Sequence, residues 1–318
     1  MCRPSLVQPP EIRRLRDLTL YRRALVQDRT REQQRVEKLL EDAPIKPSSV
    51  ASTLDTLSAR DMIEALIAGE RDPRRLADLA RGRMKTKRSA LIAALDGRFD
   101  DHHAELARML LAQIDALSAQ IGTLTTRIDD LLEAAEPDDA SDGGGLPSDV
   151  AAAPAGPNTV ERLTEIPGIG STGAQIILAE IGLDMTQFPT AAHLVSWAKL
   201  CPRTIQSGPV TRGGRTGKGN PYLKGALGEA AAAAAKTDTF LGERYRRTVK
   251  RRGKLKALVA VARSILVIIW QLLTDPLARF RDLGSEYHNT LINTERRMRN
   301  HIAQPTAMGY RVTLEPAA

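Results

Sequence analysis

Residues 163–170 read Leu-Thr-Glu-Ile-Pro-Gly-Ile-Gly, a stretch that predicts a tight turn between two helices. A short helical segment precedes the turn, and apolar residues spaced by three and four positions predict a second helix over 172–180. Gly168 and Gly170 allow the turn to adopt positive φ and to come close to another molecule, because glycine has no Cβ. The stretch therefore predicts a helix-hairpin-helix element in a domain built from helices.

A hairpin of this kind presents backbone N–H groups at the start of its second helix. These donors are unpaired and carry partial positive charge, so they suit the oxygens of a phosphate. Such contacts position a protein on DNA without reading its sequence. The alternative is a helical hairpin that only packs. The residues expected to lie against DNA are Pro167, Gly168, Ile169, Gly170 and Thr172.

The composition of the 318-residue chain also favours helices. Aromatic residues make up 3%, so the core must consist mainly of Leu, Ile, Val and Ala, and a mainly α fold is expected. The formal net charge of +8 points to an anionic partner, either nucleic acid or a membrane surface. The cysteines Cys2 and Cys201 are too few for a disulfide framework or a cysteine metal site, and they are typical of a reducing compartment.

A cytoplasmic protein without a membrane partner is expected. No apolar segment follows Met1, so no signal peptide is evident. The apolar run Leu255–Leu273 carries Arg263 near its middle and is short for a membrane span. A buried core helix is the better interpretation of this run.

Positive charge dominates the sequence downstream of the hairpin. A charge run is usually a solvated face, but its density beside a phosphate-binding hairpin favours a nucleic-acid surface. The basic residues expected to contact DNA are Arg212, Arg215, Lys218, Lys224, Arg251 and Arg252.

A heptad pattern predicts a coiled coil near the middle of the chain. β-Branched residues at a with Leu at d favour parallel two-stranded coils, so a homo-oligomer is expected. The alternative is an amphipathic helix packed on its own domain. The a positions are Ile114, Ile121 and Ile128, and the d positions are Leu110, Leu117, Leu124 and Leu131.

Composition shifts divide the chain into regions. A helical region ending in the coiled coil is expected over 1–136, and a Pro/Gly/Ala-rich flexible linker over 137–157. A helix-hairpin-helix domain is expected over 158–286, followed by a loose polar tail over 287–318.

Several long segments resemble one family of mobile-element proteins. Residues 163–200, LTEIPGIGSTGAQIILAEIGLDMTQFPTAAHLVSWAKL, and the following CPRTIQSG resemble the C-terminal transposase domain of the IS110/IS116/IS902 family. The segments GRTGKGNPYLKGAL and RYRRTVKRRGKLKALVAVARSIL resemble it too. The stretch PPEIRRLRDLTLYRRALVQDRTREQQRVEKLLEDAPIK is similar to the family's middle region.

The resemblance implies a DNA recombinase in which a serine attacks DNA phosphate, and the family's serine falls on Ser207. Without the resemblance, Ser207 before Gly208-Pro209 would be interpreted as a turn serine. The family implies a coiled coil that joins protomers, a bridge RNA that guides target choice and a RuvC-like N-terminal domain whose acidic residues hold Mg²⁺. No strand-rich acidic segment precedes Arg3-Pro-Ser here, so we expect no metal site in this chain and a truncated protein that is inactive alone.

Three functions remain open on the sequence. The first is a transposase of an insertion element that binds element ends and target DNA. The second is a non-enzymatic dimeric DNA-binding protein, a regulator or inhibitor of full-length relatives. The third is a housekeeping repair or replication protein with the same hairpin, which leaves the coiled coil and the serine segment unexplained.

Overall fold

The computed structural model describes residues 8–46, 49–50, 56–135, 158–290 and 294–313. Helices dominate them, which confirms the expected mainly α fold. The helices are α1 Pro10–Asp42, α2 Leu57–Ile67, α3 Pro73–Asp78, α4 Arg88–Ala94, α5 Asp101–Glu133, α6 Thr159–Thr164, α7 Ser171–Ile181, α8 Ala191–Trp197, α9 Pro221–Ala234, α10 Phe240–Arg252, α11 Lys254–Thr274, α12 Tyr287–Thr290 and α13 Thr294–Ala307. Strands β1 Pro202–Ser207 and β2 Val210–Thr216 form an antiparallel pair, and 3-10 helices cover Gly82–Lys87 and Met185–Gln187.

The chain divides into two compact units. The helical unit is Arg13–Ala135, and the C-terminal unit is Glu136–Ala318 together with Met1–Ile12. The flexible linker expected over 137–157 lies outside the described residues. The segment 287–318, expected to be a loose tail, contains α12 and α13. The domain boundaries set out from the sequence remain predictions.

Helices α1 and α5 run antiparallel in the helical unit. Arg22 donates from Nη1 to the hydroxyl of Thr125 at 3.4 Å, and Arg29 donates from Nη1 to the hydroxyl of Ser118 at 3.4 Å. A step forward along α1 is therefore a step backward along α5. Near the C-terminal end of α1, Val36 lies in the same buried cluster as residues of α2, α3, α4 and α5.

The heptad stripe of α5 is at least half-buried within the helical unit. Leu117 and Ile128 are buried, as are Leu111 and Leu132, which lie outside the heptad positions. The other a and d residues are half-buried and are Leu110, Ile114, Ile121, Leu124 and Leu131. Packing within one chain thus accounts for part of the apolar pattern, and association between copies remains a prediction.

The core of the C-terminal unit forms around α9, which packs against both α7 and α11. Ile177 of α7, Leu227 of α9 and Ile265 of α11 are fully buried. The indole Nε1 of Trp270 donates to the carbonyl oxygen of Phe188 at 2.9 Å, which ties α11 to the segment before α8. This core is the platform that holds the turn before α7 and the helices beside it.

Helix α11 is long and apolar enough to cross a membrane on length and composition alone. Its buried side chains recur every three or four positions, which is the spacing of a helix packed along one face. This agrees with the core helix expected from the sequence. The buried residues are Ala257, Val261, Ala262, Ile265, Leu266, Ile269 and Leu272.

Candidate nucleic-acid interface

The turn 165–170 joins α6 to α7 and opens toward solvent at the start of α7. Ile166 and Ile169 are buried and fix the turn to the core, whereas Ser171 and Thr172 are exposed. Gly170 occupies the N-cap position without a side-chain hydrogen bond to the helix. The first N–H groups of α7 therefore lack a side-chain cap, and this arrangement suits an oxyanion.

Gly168 is required by packing against α9. Its φ is +94°, and a Cβ added there would lie 2.2 Å from the carbonyl oxygen of Ala230 and 2.8 Å from the nitrogen of Ala234. The close approach expected at this glycine is real, but its partner is the backbone of α9. The expectation of positive φ is wrong for Gly170, whose φ of −99° is open to any residue and whose Cβ would meet nothing within 4 Å.

Charged groups on either side of the turn anchor it to the segment that follows α11. Arg162 is buried and its guanidinium donates to the carbonyl oxygens of Leu272, Asp275 and Ala278, so it caps the end of α11. Glu165 accepts from the guanidinium of Arg279 and from the backbone N–H of residue 280 at 3.0 Å.

This anchoring changes the acid–base behaviour of Glu165. The hydrogen bond from Arg279 lowers the pKa of the Glu165 carboxyl, and the backbone N–H of residue 280 lowers it further. Both donors bind the ionised form, which is the direction expected for a carboxylate that accepts several N–H groups. The carboxylate of Glu165 beside the turn therefore already binds Arg279 and the backbone N–H of residue 280.

Strands β1 and β2 form a ribbon that carries Ser207 at its end. Ser207 pairs with Val210 across a two-residue loop, and Gly208 has a φ of +60° with no atom within 4 Å of its added Cβ. Glycine at the first loop position followed by Pro209 is typical of a type II′ hairpin turn. The ribbon was not predicted from the sequence, although Thr204 to Gln206 and this loop carry a hairpin signal.

The strand register places Ser207 on one face of the ribbon with a basic residue and apolar residues. Ile205 pairs with Arg212, and Ser207 pairs with Val210, so alternation puts these side chains on the same side. Every described side chain from residue 204 to 212 is exposed. Ile205 and Val210 are 57% and 49% exposed, an unusual state for β-branched apolar residues.

The other basic residues expected at the interface differ in their exposure to solvent and in whether their charged groups already have hydrogen-bond partners. Arg215 and Lys218 are exposed after the ribbon turn, and Arg251 and Arg252 are exposed in the last turn of α10. Lys224 is half-buried on α9, its ammonium donates to the carbonyl oxygen of Gly217, and burial lowers its pKa. Lys224 thus holds the end of the ribbon to α9.

The described residues contain no group of three or more His, Cys, Asp or Glu side chains placed to hold a metal ion. Magnesium prefers a cluster of carboxylate oxygens. The described side chains therefore do not fit the Mg²⁺ that the family resemblance implies.

Comparison with known proteins identifies the region that contains the turn and the ribbon. A protein of insertion element IS110 from Streptomyces coelicolor (strain ATCC BAA-471 / A3(2) / M145), named as an uncharacterized 43.6 kDa protein, is 38% identical to this chain over 116 residues. The match covers 36% of this chain and 28% of that relative. Residues 160–246 match the family model "Transposase IS116/IS110/IS902 family". The matched residues include the turn 165–170 and the whole ribbon, so this part of the chain is similar to the transposases of that family.

Proposed function

We propose that the C-terminal unit binds the DNA of an insertion element and supplies Ser207 as the nucleophile of strand exchange. The observation that carries the proposal is the position of Ser207, exposed at the end of the ribbon and on the same face as Arg212. A nucleophile for a DNA phosphate must be accessible from the protein surface, and the exposed Ser207 meets this condition. A neighbouring guanidinium favours the same position, since it binds phosphate oxygens with strong charge-assisted hydrogen bonds.

The proposed step is a transesterification at phosphorus. The Ser207 hydroxyl loses its proton and its oxygen bonds to phosphorus, while a DNA hydroxyl leaves and takes up a proton. The product is a phosphodiester to the protein, so a second DNA hydroxyl can reverse the step and release the serine. Ser207 has no hydrogen-bond partner among the described side chains, so a group outside the ribbon must accept its proton.

Binding to DNA would come from surfaces on either side of the ribbon. The uncapped start of α7 offers backbone N–H groups to one phosphate, and Arg251 and Arg252 add exposed charge at the end of α10. These contacts are insensitive to base sequence and release counterions. We expect binding of duplex DNA to weaken steeply with salt, and a shallow dependence on salt concentration would contradict a phosphate-based interface.

A covalent-adduct assay tests the serine directly. The chain is incubated with element-end DNA labelled at one strand, in buffer with Mg²⁺, and is then denatured so that only covalent complexes remain. The matched control is Thr204→Ala, which removes another exposed hydroxyl, from the other face of the ribbon. Adducts with the wild type and Thr204→Ala, but not with Ser207→Ala, are the expected result.

A second candidate is a dimeric DNA-binding protein without catalysis. It is favoured by the half-buried heptad residues of α5, which leave apolar surface for a second copy. DNA binding with no adduct from the wild type would support this candidate. Sedimentation of the wild type and of Ile121→Lys would then show whether the stripe joins copies.

The exposed basic surface also suits the phosphates of a bridge RNA. DNA is the proposed partner of the turn and the ribbon, and the RNA is a further ligand with the same phosphate chemistry. Competition with the element's noncoding RNA against bound duplex measures whether the RNA shares this surface.

A further inference from the structure

A cluster of basic side chains lies where α10 packs along α11 and contacts α12. Arg244 and Arg247 lie one turn apart on α10, Arg263 lies on α11, and His288 lies on α12. The imidazole of His288 stacks on the ring of Phe240 at the start of α10, with ring centroids 4.7 Å apart. Helix α10 also packs along α11, which brings Arg263 close enough for its charge to act on Arg244.

Two polar atoms of this cluster are buried without a hydrogen-bond partner among the described residues. The Nε of Arg244 and the Nε2 of His288 are buried, and neither has a hydrogen-bond partner among the described residues. Buried donors without partners are rare in native proteins, and each calls for an explanation such as a missing ion. The orphaned atoms are therefore consistent with a bound anion that accepts from both side chains.

The positive charges in the cluster repel one another. Burial lowers the pKa of Arg244, and the charges of Arg263 and Arg247 lower it further. Burial also lowers the pKa of His288, with Arg247 and Arg244 adding to the effect, and Glu243 opposes it. The folded chain thus holds positive charge at a cost that a bound anion would offset.

The carboxylates of Glu243 and Asp282 already have other hydrogen-bond partners. Glu243 accepts from Nε of Arg246 at 2.9 Å, and Asp282 accepts from the backbone N–H of Phe240 at 3.1 Å. Arg246 shows the contrast on the same helix, since it also donates to the carbonyl oxygen of Thr237. Arg246 is fully engaged in the fold, whereas Arg244 carries a donor without an acceptor.

We propose that Arg244 and His288, with Arg247 and Arg263 at the exposed rim, form a binding site for one phosphate of the DNA backbone. Guanidinium and imidazole donors match phosphate oxygens in geometry and charge. The exposed side chains of Arg247 and Arg263 leave the site open to solvent and to a long polymer. The site lies outside the turn 165–170 and the ribbon, and its assignment to DNA rests on the proposed function.

The test compares Arg244→Met with Arg246→Met, the same substitution on the same helix. Thermal unfolding is measured in chloride and in inorganic phosphate at matched ionic strength, and binding of duplex DNA is measured over a range of salt. Removing an uncompensated buried charge should raise the melting temperature of Arg244→Met in chloride, whereas Arg246→Met should lower it. Phosphate should stabilise the wild type and Arg246→Met but not Arg244→Met.

DNA binding should weaken about tenfold in Arg244→Met, and its logarithmic salt slope should fall by about one. His288→Phe, which keeps an aromatic ring on Phe240 but removes Nε2, should lose the phosphate stabilisation as well. An Arg244→Met variant that is less stable and still responds to phosphate would overturn the site. Loss of the phosphate response with unchanged DNA binding would overturn the assignment to DNA and leave a site for free phosphate. If RNA displaced bound duplex DNA from the wild type more strongly than unlabelled DNA does, the assignment would change to RNA.

The measurement of thermal unfolding in phosphate tests the anion site without DNA, so the site and the proposed function can fail separately. A wild type that binds no DNA but loses its phosphate response in Arg244→Met would defeat the proposed function and spare the anion site. A wild type that binds DNA equally well with and without Arg244 would defeat the DNA assignment and spare the proposed function.

Discussion

The turn 165–170 and the turn of the β-ribbon both contain a glycine at positive φ, but they are held in different ways. At Gly168 a Cβ would strike the backbone of α9, whereas at Gly208 it would meet nothing within 4 Å. Packing fixes the first turn, and local backbone geometry fixes the second. A turn fixed by packing offers a rigid N–H platform, while an exposed ribbon can carry a nucleophile away from the core. The two regions therefore divide the proposed tasks of holding DNA and reacting with it.

The largest effect expected from this difference is on the paired substitutions Gly168→Ala and Gly208→Ala. Gly168→Ala combines a strained φ with a collision against Ala230, so the free energy of unfolding should fall by about 4 kcal/mol. Gly208→Ala carries only the backbone strain and should cost about 1 kcal/mol. Urea unfolding of the C-terminal unit, followed in the full chain, measures both changes.

Gly170→Ala is the control within the first turn. Its φ is ordinary and its Cβ would enter open space, so its cost should stay below about 1 kcal/mol. If Gly168→Ala were as mild as Gly170→Ala, the contact with α9 would not be the reason for the glycine.

A smaller effect is expected from the charge pair that anchors the first turn. Arg279 and the backbone N–H of residue 280 lower the pKa of Glu165 in the folded state. The resulting stabilisation is present above the ordinary pKa of a glutamate and is lost as the pH falls through the lowered one. Glu165→Gln should therefore cost up to about 1 kcal/mol near neutral pH, since the pair is partly exposed.

The cost of Glu165→Gln should vanish in acid, where the wild-type carboxyl is also protonated. Chemical unfolding of the wild type and the variant at neutral and acid pH measures this difference. Glu229→Gln, an exposed change on α9, supplies the control and should show no such convergence. A deficit that is equal at both pH values would assign the role of Glu165 to shape rather than charge.

Local sequence patterns predicted many of the helices and turns. The features that were not predicted depend on contacts between residues that lie far apart in the sequence. The spacing of apolar residues predicted α7, and Pro-Gly-Ile-Gly predicted the turn before it, because both depend on neighbouring residues. The sequence could not show that Gly168 faces α9, since Ala230 and Ala234 lie far along the chain. The Ile and Leu heptads of α5 likewise could not distinguish a second copy from the chain's own α1.

The candidate site was harder to predict than the fold. Ser207 was assigned through family resemblance, while its place on a ribbon follows from pairing with Val210 across the Gly-Pro loop. Lys224 has the charge of a DNA contact, but its ammonium is used inside the unit. Charge in a sequence does not reveal whether a side chain already has an acceptor.

The smallest effect on stability is expected at the end of the ribbon. Ile205 and Val210 are 57% and 49% exposed, so replacing either with Thr removes little buried apolar area and keeps the β-branched shape. Ile205→Thr and Val210→Thr should each change the free energy of unfolding by less than about 0.5 kcal/mol. Ile169→Thr, a buried residue of the first turn, should cost about 2 kcal/mol or more because a hydroxyl enters the core. Urea unfolding of the three variants measures the contrast, and a loss above about 1 kcal/mol at Ile205 would show that the ribbon contributes to the core and is not a free arm.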